Sequence, residues 1–119
     1  MTVLLDTSVV VEMLRKGEYR EGSISIITVI EVLRGVRGER RRRVKELLEE
    51  AFEVHGLSND VILKYCELYD ALRARGELIP DADLLIAATA LSVGETLVTK
   101  DKHFERLRRE GLNVTILET

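Results

Sequence analysis

The sequence predicts an α/β fold in which helices cover both faces of a central parallel β-sheet. Short β-type runs alternate with helical patterns along the chain. Those runs are apolar on both faces, the mark of strands buried on two sides. A length of 119 residues, 45% apolar and 33% charged, suits a single domain with a sizeable core, expected to span residues 1–119.

The elements follow in order. Thr2 to Leu5 is an apolar run that stops at Asp6, and Thr7 to Lys16 carries Val10, Met13 and Leu14 at helical spacing. Ser23 to Ile27 reads as a second strand ending at Thr28, followed by a short helix of Val29, Val32 and Leu33 closed by Gly35. From Gly38 to about Glu50 the pattern is charged and helical, with Val44, Leu47 and Leu48 on one face. Phe52, Val54 and Leu57 suggest a third strand, and Ser58 an N-cap for a long helix to Gly76. Pro80 and Asp81 open a helix that closes at Gly94, with Asp81 as its expected N-cap. Thr96 to Thr99 is a buried-type strand, Lys102 to Arg109 a short helix ending at Gly111, and Val114 to Leu117 a last strand.

Composition narrows the function. No apolar run reaches the roughly 18 residues of a membrane span, so the expectation is a cytoplasmic protein without a membrane partner. The single cysteine, Cys66, closes no bridge within its chain and reads as a small buried hydrophobe. A net charge of −3 excludes nucleic-acid binding by bulk charge. It leaves open a local basic surface, and seven of the 18 basic residues lie between Arg34 and Lys45 against one acid, Glu39.

In a sheet of this kind the ligand site lies outside the carboxyl ends of the strands. Four acids fall there: Asp6 after the first strand, Glu31 in the helix after the second, Asp83 in the first turn of its helix, and Asp101 after the fourth strand. Each has an ordinary explanation. Thr28 and Glu31 match a capping box, Asp83 suits a helix N-terminus, and Asp6 or Asp101 could be plain N-caps. Jointly, carboxylates delivered to one rim concentrate negative charge that a hard divalent cation, Mg²⁺ or Mn²⁺, would neutralise. Thr7, Ser8 and Thr99 are placed to donate hydroxyls to those carboxylates or to steady a phosphate.

The segments Leu5-Asp6-Thr7-Ser8, Ile27-Thr28-Val29-Ile30-Glu31-Val32-Leu33-Arg34-Gly35, Asp83-Leu84-Leu85-Ile86-Ala87-Ala88-Thr89-Ala90 and Leu97-Val98-Thr99-Lys100-Asp101-Lys102-His103-Phe104 together resemble the PIN domain. The resemblance is closest to the small VapC-type toxins of toxin–antitoxin pairs. It implies a three-layer α/β/α fold and a Mg²⁺- or Mn²⁺-dependent endoribonuclease acting on RNA. It makes Asp6, Glu31, Asp83 and Asp101 the acidic quartet, with Asp6, Asp83 and Asp101 as metal ligands and Glu31 acting through water or as proton acceptor. It further implies a homodimer and an antitoxin protein whose segment covers the acidic groove. The last motif departs at His103, where many relatives carry another acid, which bears on a second metal position and not on the first.

Other residues have plainer readings. His103, beside Asp101, could help bind phosphate or tune a carboxylate, but reads first as an inert helix-start histidine, and Tyr65 and Tyr69, one turn apart, read as packing. Arg40 to Arg43 spread around a helix, where Glu46, Glu49 and Glu50 offer i,i+4 partners. The alternative is that Arg34, Arg37 and part of this run bind substrate phosphates. Two competing functions remain: a non-catalytic RNA-binding or scaffolding module, and a phosphohydrolase with an aspartate nucleophile. Against the second, Asp6-Thr7-Ser8 lacks the further aspartate two residues on that Asp-x-Asp phosphatases use.

Overall fold

A computed structural model describes residues 2–118. Five parallel strands form one sheet: β1 (Val3–Leu5), β2 (Ser23–Ser25), β3 (Glu53–His55), β4 (Thr96–Thr99) and β5 (Val114–Ile116), in the order β3-β2-β1-β4-β5. The helices are α1 (Thr7–Lys16), α2 (Ile26–Arg34), α3 (Arg40–Ala51), α4 (Asn59–Arg75) and α5 (Asp81–Val93), with a 3₁₀ helix at Lys102–Glu110.

Strand alternation builds the three layers. On β1, Leu4 faces a core shared with α4, α5 and the 3₁₀ helix, among them Leu72, Leu84, Ala87 and Phe104. Its neighbour Leu5 faces the opposite core, with Val9, Val10, Val29, Val32 and Leu48 of α1, α2 and α3. Leu97 and Val98 of β4 divide in the same way, in register with Leu4 and Leu5. Both faces are buried at the centre of the sheet, so β1 reads as an unbroken apolar run, while β2 buries Ser23 and Ser25 on either side of Ile24. Gly22 lets β2 start against β1: a Cβ there would lie 3.0 Å from the Val3 carbonyl oxygen.

The chain leaves β1 for β2 on one side, while β4 pairs β1 on the other. The β1/β4 boundary is therefore the switch point at which such sheets open a crevice for ligand.

Several expectations are corrected. β2 stops at Ser25, where a second strand to Ile27 was expected, because the Ser25 hydroxyl accepts the Ile27 N–H at 3.0 Å and caps α2. The last helix is 3₁₀, whose three-residue turn carries Phe104 and Leu107 into the core. Leu57 lies beyond β3 and is exposed. Cys66 is exposed on α4, whose inward face is taken by Val61, Leu68 and Leu72. Pro80 holds the N-cap position of α5, and Asp81 accepts a hydrogen bond from the Tyr65 hydroxyl at 2.7 Å without capping anything.

Candidate metal centre and active site

Asp6 follows β1 directly and occupies the N-cap position of α1, yet its carboxylate makes no capping hydrogen bond. Its Oδ2 accepts from the Ser8 hydroxyl at 2.9 Å and the Thr99 hydroxyl at 2.7 Å. Only 4% of Asp6 is exposed, so a charge is held at the end of β1 by two donors from α1 and β4. Ser8 and Thr99 are tied in turn: Ser8 Oγ accepts the Lys100 N–H at 3.2 Å, and Thr99 Oγ1 accepts the Asp101 N–H at 3.0 Å. The Lys100 ammonium pairs with Glu12 of α1, whose carboxyl it holds below the usual range.

Glu31 is not part of a capping box, because α2 begins at Ile26 with Ser25 as its N-cap, so Thr28 already lies inside the helix. Its Oε1 accepts from the Thr7 hydroxyl at 2.7 Å. Thr7 has one hydroxyl proton, so at the 2.9 Å contact between Thr7 and Thr28 it is Thr28 that donates. The relay Thr28 to Thr7 to Glu31 orients the carboxylate from the start of α1.

Asp83 stands at the third position of α5, half-buried. Burial pushes its carboxyl up to about 6, the charges of Asp6, Glu31 and Asp101 push in the same direction, and His103 opposes them. All three other acids thus act electrically on Asp83, the convergence that the strand-end positions predict.

Asp101, after β4, caps the 3₁₀ helix by accepting the His103 N–H at 3.1 Å. This ordinary capping role is real and coexists with the site. The His103 ring lies between two carboxylates, with Nδ1 3.1 Å from Asp101 Oδ1 and Nε2 3.0 Å from Asp83 Oδ2. Nε2 is buried and lacks the alignment for a hydrogen bond, so it is an unsatisfied polar atom at the centre of the site.

Asp83, Asp101 and His103 each offer one ligand atom, and these lie within 4.8 Å of one another. Asp6 falls outside this compact group, and its charge acts on Asp83. The donor set fits a divalent cation: carboxylates in excess, a carboxyl destabilised as an anion, and a buried imidazole nitrogen that makes no hydrogen bond. His103 stands among these acids, where the sequence favoured an inert helix-start histidine over one that tunes a carboxylate. Its signal was position, two residues after Asp101 at a strand-end turn.

Thr7, Ser8 and Thr99 are brought to the site as donors to Glu31 and Asp6. Arg34 and Arg37 are exposed at and beyond the end of α2, with no hydrogen bond or ion pair to the acids among the described residues.

Comparison with known proteins gives concordant results. The family model of the PIN domain matches residues 3–110. Ribonuclease VapC1 of Methanocaldococcus jannaschii is 39% identical over 116 residues, covering 94% of this chain and 85% of that protein. The structure of VapBC-1 from nontypeable Haemophilus influenzae superposes with a TM-score of 0.82 at 26% identity, covering 98% of each chain. DNA-bound VapBC from Salmonella typhimurium gives a TM-score of 0.84 at 22% identity, a likeness of fold.

Proposed function

The chain belongs to the PIN domain family, and from that premise we propose that it is a divalent-metal-dependent endoribonuclease, the toxin of a toxin–antitoxin pair. The observation that carries the reading is the cluster of Asp83, Asp101 and His103, whose ligand atoms lie within 4.8 Å of one another, with Asp6 and Glu31 adding their charge to the burial that pushes the Asp83 carboxyl up to about 6. An uncompensated cluster of this kind costs folding energy, and such costs persist at functional sites.

Asp83 and Asp101, with Asp6 across the switch point and His103 between them, would hold Mg²⁺ or Mn²⁺. Bound there, the cation would neutralise charge building on a phosphate and make water acidic enough to attack. The protein's own groups do the rest. Thr99 and Ser8 hold the Asp6 carboxylate in one orientation. Glu31, fixed by Thr7, is the group best placed to accept the proton of the attacking water. Asp6 is a poor nucleophile: it is buried and one oxygen is engaged by two hydroxyls, which disfavours the phosphohydrolase reading.

An antitoxin protein is the expected partner, since the 39% identical relative carries the VapC name and the 26% identical structure is a VapBC complex. An arginine from such a partner would neutralise the quartet and block it. A second copy of the chain completes the expected assembly.

The test is cleavage of cellular RNA by purified protein with Mn²⁺ or Mg²⁺. Cleavage is expected, and both a chelator and Asp83→Asn should abolish it. Absence of cleavage, with calorimetry detecting no bound Mn²⁺, would leave a non-catalytic RNA-binding module as the better account.

A further inference from the structure

The quartet sets an electrostatic problem for the proposed substrate. Four carboxylates repel phosphate, and the chain as a whole carries −3, so affinity for an RNA strand has to come from cations elsewhere. The structure concentrates them at one corner. Between the end of α2 and the first half of α3 lies an open depression of about 870 Å³ lined by Leu33, Gly38, Glu39, Arg41, Arg42 and Lys45. That is within the range of small-ligand sites, about 300–1,000 Å³, and large enough for nucleotides.

The corner is built rather than merely charged. Arg41 folds back so that its Nε donates to the Leu33 and Val36 carbonyl oxygens at 3.1 and 2.8 Å, closing the end of α2 and leaving its terminal nitrogens free. Lys45 pairs with Glu49 at 2.8 Å, but Arg42 makes no ion pair with Glu46 among the described residues. The same holds for Arg34, Arg37, Arg40 and Arg43. The expected i,i+4 neutralisation therefore occurs once, and an excess of free guanidinium groups remains. Arg34 lies one turn beyond Glu31 on the same side of α2, a rise of about 4.5 Å. It stands between the acidic centre and the corner.

We propose that the α2–α3 corner is an RNA-binding subsite that holds the sugar-phosphate backbone flanking the bond to be cut. A strand leaving the quartet passes Arg34, rounds the end of α2 and lies along Arg41, Arg42 and Lys45. Guanidinium forks grip its phosphates and the apolar Leu33 side chain offers a surface for a base. Cations strung along an open trough match an extended polyanion better than a compact anion. This subsite rests on the endoribonuclease reading, and its test separates the two.

Binding of a fluorescent 20-nucleotide single-stranded RNA of mixed sequence is measured by anisotropy in chelator, where no cleavage is expected, over a range of salt. Two triple variants with the same change in net charge are compared: Arg34→Gln/Arg42→Gln/Lys45→Gln at the corner, and Arg20→Gln/Arg73→Gln/Arg109→Gln at exposed sites elsewhere. All six positions are exposed, and circular dichroism checks folding. The corner triple should flatten the slope of log affinity against log salt by about 2 and weaken binding at 0.1 M salt by at least about tenfold, while the control triple leaves the slope nearly unchanged. Equal effects of the two triples, no effect of the corner triple, or no RNA binding by the unaltered protein would overturn the subsite. RNA that binds through the corner but is not cut with Mn²⁺ or Mg²⁺ would instead overturn the nuclease reading and leave the subsite standing.

Discussion

At the scale of single residues, the site is a set of carboxylates whose ordinary helix-end roles are partly vacated. Asp6 sits where an N-cap should and its side chain caps nothing, and Glu31 bonds to Thr7 of α1 instead of back to the start of its own helix. The positions of the four acids were legible because Asp6 and Asp101 follow strand ends, Asp83 lies in the first turn of α5 and Glu31 lies on the helix that follows β2. The bridging role of His103 was not, since a histidine near a helix start has no spacing that distinguishes a bridging ring from an inert one. Asp83 supplies a prediction whose sign is opposite to the usual carboxylate case. Its pKa rises on folding from 3.8 to about 6, so the native state binds more protons between pH 4 and 6, and the metal-free protein loses stability as pH rises through that window. The loss is at most about 3 kcal/mol. Asp83→Asn should therefore abolish cleavage yet raise the melting midpoint in chelator at pH 7.5, and flatten the decline between pH 4 and 6. Thermal melts across pH check this, and a variant that melts lower than the parent at pH 7.5 would contradict it. Saturating Mn²⁺ should erase the parent's deficit and do little for the variant.

At the scale of elements, placement of Glu31 depends on where α2 begins. The run Ile26 to Ile30 is β-branched throughout, so propensity favours extending the strand. Tertiary packing decides otherwise: Val29 and Val32 pack in the core that α2 shares with α1 and α3, and the buried Ser25 hydroxyl closes the first turn. One residue of shift in that start would rotate Glu31 by about 100° away from Thr7. Ser25→Ala should cost about 1–2 kcal/mol through the lost cap. It should also lower the cleavage rate more than it weakens RNA binding, because the helix start no longer pins Glu31. Denaturant unfolding gives the first quantity and steady-state kinetics the second. A stability loss with no change in rate would show that Glu31 is positioned by Thr7 alone.

At the scale of the whole molecule, two cores share one sheet, and the acidic rim joins them. Asp6 follows β1 and Thr99 ends β4, Asp83 and His103 come from an upper layer of α4, α5 and the 3₁₀ helix, and Glu31 comes from a lower layer of α1, α2 and α3. Strand alternation made both cores legible, since Leu4 and Leu5 must face opposite ways. What spacing does not reveal is how the upper layer is braced at its edge. Arg75 at the end of α4 bonds Glu77 and Glu110 at 2.8 and 2.6 Å and reaches the Arg106 carbonyl oxygen, while Arg106 returns to the Glu77 and Leu78 carbonyl oxygens. These partners lie 2 to 35 residues apart, with no periodicity that would announce them. The network fixes the 3₁₀ helix, and with it His103, against α4. Arg108, by contrast, pairs among the described residues only with Glu105 within that same helix. Arg75→Met should therefore lower the melting midpoint by several degrees and Arg108→Met should scarcely move it, because a pair local to one exposed turn contributes little and a bridge between elements restrains both. The Arg75 variant should also weaken Mn²⁺ binding, read by calorimetry, as His103 and Asp101 lose their fixed distance to Asp83. Equal melting shifts for the two variants would mean that the edge of the upper layer is held by Phe104 and Leu107 packing alone.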